Sequence, residues 1–169
     1  MLSMIGPRTN PRTTGGIVIN SGGVPVISNP NLTIGGLDYT INDATGADGF
    51  MTNQAGRVTF TVTANGVNTF DRRFLVNTVN GSAVGSFQAQ TGDFTPLFNQ
   101  LVVIPAGNNR ALIDVVLKAD MFNEGAETFS LVLSNLEVLD STLNNFVPDT
   151  DSTIRDSTGI GTITDPNIR

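Results

Sequence analysis

The stretch ALIDVVLKADMFNEGAETFSLVL, residues 111–133, holds two strands and the turn between them. Ala111 to Lys118 alternates apolar and polar residues, which sets Ile113, Val115 and Leu117 on one face of an extended chain. Thr128 to Leu133 alternates in the same way. Two half-buried strands joined by a short connection point to a β-structured body. The connection is acidic: of the three glutamates in 169 residues, Glu124 and Glu127 lie here beside Asp120. Carboxylates crowded on one loop repel one another unless a cation sits among them, and hard oxygen donors favour calcium over softer metals. The same spacing also describes a solvated turn, because Asp, Asn and Gly are common in turns with or without a metal.

Further strands extend the pattern outward. Arg57 to Ala64 places Val58, Phe60 and Val62 on one face and Thr59, Thr61 and Thr63 on the other. Phe70 to Val79 follows the turn Asn65-Gly66, and Leu101 to Ile104 and Ile160 to Thr164 add two more. Asn108-Asn109 after Ala106-Gly107 predicts a hairpin turn feeding Ala111 to Lys118. About seven strands result, an all-β antiparallel sandwich with Phe74, Phe129 and Leu131 in its core. The long polar connection from Ser134 to Thr158 carries Asp149, Asp151 and Asp156, read as solvated loop residues or as extra ligands.

Four segments occur in a family order: Gly92-Asp93-Phe94-Thr95, Ile104-Pro105-Ala106-Gly107, the acidic loop ahead of Thr128-Phe129-Ser130-Leu131, and Gly159-Ile160-Gly161-Thr162-Ile163-Thr164-Asp165. In these the chain resembles a Calx-beta domain from about residue 50 to its end. The resemblance implies an immunoglobulin-like sandwich that binds calcium at one end through interstrand loops. It also implies the ligand set Asp93, Asp120, Glu124, Glu127 and Asp165. Four positions depart from the family: Ala119 replaces the first of its paired aspartates, Pro166 and Asn167 replace the rest of its closing acidic run, and Asn53 stands where a glutamate often opens the domain. With those ligands gone, the expectation is one calcium ion or none. The segment from Gly81 to Asp93 is also longer than the family pattern implies.

Composition narrows the function classes. Histidine and cysteine are absent, which removes the commonest general base, thiol chemistry, zinc fingers and disulfides together. A formal charge of -6 with a single lysine, Lys118, argues against a nucleic-acid partner, which calls for clustered basic residues. An enzyme would have to use Glu124 and Glu127 as a carboxylate pair, with no tryptophan to wall a sugar site and both groups on one loop. The expectation is a protein without catalytic activity. No stretch approaches the roughly 18 apolar residues of a membrane span.

Residues 1–49 read as an extended arm ahead of a sandwich domain at 50–169. The arm holds Pro7, Pro11, Pro25 and Pro30, and its apolar pieces Ile17 to Ile19, Val24 to Ile27 and Leu32 to Ile34 are too short for a core of their own. Arg8 and Arg12 precede Asp38 without an acidic residue (+2), so seven basic and 15 acidic residues, -8, fall on the remainder. The arm either docks on neighbouring subunits, giving a homo-oligomer or larger assembly, or folds back along its own sandwich. The start of the chain lacks the basic and apolar regions of a signal peptide, so cytoplasmic synthesis is expected. Together these features suggest a structural accessory of a phage virion, a decoration or cement protein of capsid or tail. The alternative is a calcium-binding adhesion or interaction module of a bacterial surface protein, located outside the cell.

Overall fold

The computed structural model describes residues 17–19, 25–27, 36–48, 56–88, 91–119 and 124–165. Two compact units divide the chain, Met1–Ile34 and Gly35–Arg169. In the first, β1 (Ile17–Ile19) pairs antiparallel with β2 (Pro25–Ile27), Val18 opposite Val26. The apolar piece Leu32 to Ile34 lies outside the described residues.

The second unit contributes β3 (Asp38–Ile41), β4 (Ala44–Ala47), β5 (Arg57–Ala64), β6 (Arg72–Asn80), β7 (Gln100–Ile104), β8 (Arg110–Val116), β9 (Glu127–Asp140), β10 (Asn145–Pro148), β11 (Thr153–Asp156) and β12 (Thr158–Thr164). One sheet runs β4-β12-β9-β6-β7, with β10 also paired to β9, and the other runs β11-β3-β5-β8. No helix occurs among the described residues, so none is long and apolar enough to cross a membrane. The inner faces follow the period-2 pattern: Val58, Phe60 and Val62 of β5, then Ile113 and Val115 of β8 with Leu117 just beyond it, are buried. Rings from the two sheets interlock edge to face. Phe60 meets Phe129 at 5.8 Å and 75°, and Tyr39 meets Phe74 at 5.0 Å and 70°. Gly161 of β12 lies against two of these rings, where a Cβ would come within 2.5 Å of Phe129 Cζ and 2.9 Å of Phe60 Cζ.

Several sequence expectations are corrected. Residues 38–47, assigned above to the arm, are sandwich strands: β3 pairs with β5, β4 pairs with β12, and Tyr39 is fully buried. Ten strands rather than about seven build the described body, and two edge pairings, β4 with β12 and β11 with β3, are parallel. Residues 105–109 are not a hairpin, because β7 belongs to one sheet and β8 to the other. They form a corner between sheets, closed by Asn108 N donating to Pro105 O at 3.1 Å around Gly107 at φ 84°. The strand at Thr128 to Leu133 continues to Asp140 through a bulge, with Asn135 at φ 49° and a register slip between Arg73 and Leu75 of β6.

The pole holding that corner is closed by a buried polar lock. Arg72 Nε donates to Asp149 Oδ2 at 2.6 Å, with side-chain exposures of 10% and 3%. Asp149 Oδ1 accepts the Asp151 and Ser152 amides at 3.1 Å each. The Tyr39 hydroxyl donates to Asn68 Oδ1, and Asn68 Nδ2 donates to Ile104 O at 3.4 Å. Burial pushes the Tyr39 phenol up to about 12, against the lowering effect of the Arg72 charge. Asp149 is thus neither solvated nor a ligand; it is the counter-ion that lets Arg72 enter the interior.

Candidate metal centre

The acidic loop lies at the other pole, for Arg72 opens β6 at the lock and Asn80 closes it opposite Phe129 at the start of β9. Four of the five residues expected as ligands are described there, each held by a different device. Asp93 sits in the connection from β6 to β7 and is placed by its neighbour Phe94, whose buried ring stacks on Phe129 at 4.4 Å. Its amide donates to Val84 O at 2.8 Å, while Oδ2 accepts Val84 N at 2.6 Å. Gly92 at φ 71° makes this tight return, and a Cβ there would meet Val84 O at 2.4 Å. Glu127 opens β9 and pairs with Ile163 of β12, so the sheet itself fixes its backbone.

Asp165 follows β12 by one residue and orders the acidic loop. Its Oδ2 accepts the Glu124 amide and the Gly125 amide, the latter at 2.8 Å. Gly125 adopts φ 86°, which turns the two consecutive N–H groups toward one acceptor. Asp93, Glu124 and Glu127 each then offer a carboxylate oxygen, all within 4.8 Å of one another. Asp120 lies outside the described residues.

Crowding shows in the chemistry of Glu127. Burial, then the charges of Asp93 and Glu124, a hydrogen bond with Asp93 and the charge of Asp165 push its carboxyl up to about 6. A group raised by neighbouring anions is one that a divalent cation would return to its ionised form. One carboxylate near this pole escaped sequence reasoning. Asp48 follows β4, is buried, and donates its amide to Thr164 O at 3.2 Å, beside Asp165 in the chain. Its strand, Ala44-Thr-Gly-Ala47, has no large apolar residue to signal a buried edge.

The sequence matches no protein-family model and no curated protein. Among solved structures it is similar to the apo form of the Calx CBD1 domain, with a TM-score of 0.53 and 18% identity over 78% of this chain and 98% of that one. It is also similar to the Calx CBD2 domain, with a TM-score of 0.55 and 11% identity over 77% of this chain and 87% of that one. The chain has the Calx-beta fold. At these identities the likeness is one of fold, an immunoglobulin-like β-sandwich. Within the Calx-beta fold of this chain, the acidic cluster occupies interstrand connections at one pole and the buried lock closes the other.

Proposed function

We propose that this chain is a calcium-binding β-sandwich module that acts by recognition and not by catalysis. The observation that carries the reading is the cluster of Asp93, Glu124 and Glu127, with their oxygens within 4.8 Å. Two oxygens on opposite sides of one calcium ion stand about 4.6–5.2 Å apart, from Ca–O distances of about 2.3–2.6 Å. Magnesium, at about 2.0–2.1 Å and in near-ideal octahedral geometry, keeps several waters and takes only one or two carboxylates. Hard carboxylate donors from two separate connections suit calcium. Asp120 would add a carboxylate from the same loop, and Asp165 would act by ordering that loop through the Glu124 and Gly125 amides. Bound calcium would supply charge neutralisation and a crosslink between the connections.

Titration calorimetry on the full chain tests the reading. Calcium should bind with measurable heat and magnesium far more weakly, and Glu127→Gln should weaken calcium by about tenfold or more, since a full ligand charge is lost. Absence of heat at millimolar calcium would leave the cluster without this function. In the same proposal the module works within a larger protein assembly. Only the +2 stretch ahead of Asp38 and the -8 of the remainder support this part, including its finer form as a virion decoration or cement protein. An extracellular adhesion module would draw on the same charge contrast.

A further inference from the structure

Beside the acidic cluster lies a ring of backbone carbonyls that the chain fills with its own cation. Lys118, the sole lysine, directs Nζ at three carbonyl oxygens: Ser86 at 2.5 Å, Gln88 at 2.6 Å and Thr91 at 2.7 Å. An ammonium has three donors and all three are used. The loop it gathers is tied within itself as well, with Ser86 Oγ and Thr91 Oγ1 2.7 Å apart and Gln88 N donating to Ser86 Oγ at 3.1 Å. The main chain of the same lysine donates to Asp93 O at 2.8 Å, while the preceding Leu117 bridges to Phe94. One residue thus grips the carbonyls of Ser86, Gln88 and Thr91 and that of Asp93. The gripped residues lie in the segment between Gly81 and Asp93.

We propose that Lys118 is a positioning residue of the metal centre: its ammonium is an internal cation that ties Ser86, Gln88 and Thr91 together and sets Asp93 against Glu127. The proposal rests on the calcium reading above. Charge and position predict opposite signs. A positive charge near an acidic cluster repels an incoming cation, so deleting it should tighten calcium binding if charge alone matters. If the ammonium holds the loop, deleting it should loosen Asp93 and weaken binding, as loss of a supporting partner commonly does.

The test is calcium calorimetry on full-length Lys118→Met against wild type, with amide hydrogen exchange of both proteins in metal-free buffer. The expected result is a Kd about tenfold weaker, with faster exchange at the Ser86 and Asp93 amides and unchanged exchange at Asn68 and Gly107. Calcium affinity equal to or tighter than wild type, or unchanged exchange at Asp93, would overturn the proposal. Wild type that binds no calcium would sink the calcium reading, while the exchange comparison would still decide the positioning role. In Lys118→Ala, ammonium chloride should restore calcium affinity and tetramethylammonium, which lacks donors, should not. Failure of ammonium, or equal effect of both salts, counts against an internal cation. Should these variants not fold, wild type still decides: its single lysine ammonium should give one slowly exchanging NMR signal, and rapid exchange would contradict the ring.

Discussion

At Glu127, folding and ion binding pull in opposite directions. Its carboxyl, pushed up to about 6, takes up a proton more readily in the folded state than in the unfolded one. Its contribution to stability is therefore fully present below the ordinary value of 4.5 and is lost as pH rises through about 6. Calcium requires the ionised form, so calcium affinity should fall as pH drops through about 6, and Glu127→Gln should flatten that dependence. The same variant should melt higher than wild type in metal-free buffer at neutral pH, because it removes one of several crowded charges. A lower melting temperature there would contradict the repulsion. Asp149 behaves in the reverse sense. Burial raises its carboxyl, but hydrogen bonds from Arg72 and Ser152 and the Arg72 charge outweigh that and hold it below 3.8. Its contribution is present above 3.8 and is lost as pH falls through the lowered value. Asp149→Ala would leave Arg72 buried without its counter-ion, and urea titration should register a loss of about 3–5 kcal/mol. A loss below about 1 kcal/mol would mean that the pair is solvated. Glu124 and Glu127 stand out in the sequence because three positions separate them on one loop, whereas Asp93, 31 positions before Glu124, is reached only through the family resemblance. The role of Asp149 was not legible, since Arg72 lies 77 residues away and only the fold joins them.

Among the elements, β5 and β8 were legible nearly to the residue, for each alternates cleanly and buries one face of a sandwich strand. The second half of β9 was not, because Asn135 and the polar residues around it resemble a loop, and the bulge that accommodates them depends on the partner strand β6. β3 and β4 are four residues each, and their pairings with β5 and β12 span long sequence separations that periodicity does not reveal. β12 shows what such pairing demands: Gly161 is required by the Phe129 and Phe60 rings packed over it. Gly161→Ala should cost about 1–3 kcal/mol by forcing those rings apart, as measured by chemical denaturation. Wild-type stability in that variant would show that the two sheets do not meet there as closely as described.

For the whole molecule, the useful boundary lies at residue 34 and not at 49. A chain of residues 35–169 should melt close to the full-length protein, since it keeps every strand of the sandwich. A chain of residues 50–169 loses β3 and β4, with buried Tyr39 and Ile41, and should be strongly destabilised or unfolded. Equal melting of the two truncations would place β3 and β4 outside the cooperative unit. The sandwich then works as a frame with two unlike poles: a buried Arg72–Asp149 lock that needs no ligand, and an acidic pole whose carboxylates are crowded as though for a cation. The most direct test is a calcium titration followed by amide NMR on the full chain at neutral pH. Shifts should be confined to Val84, Asp93, Lys118, Glu124, Gly125 and their neighbours, with Asn68 and Gly107 at the lock unmoved. No shifts at millimolar calcium, or shifts centred on the lock, would contradict the account.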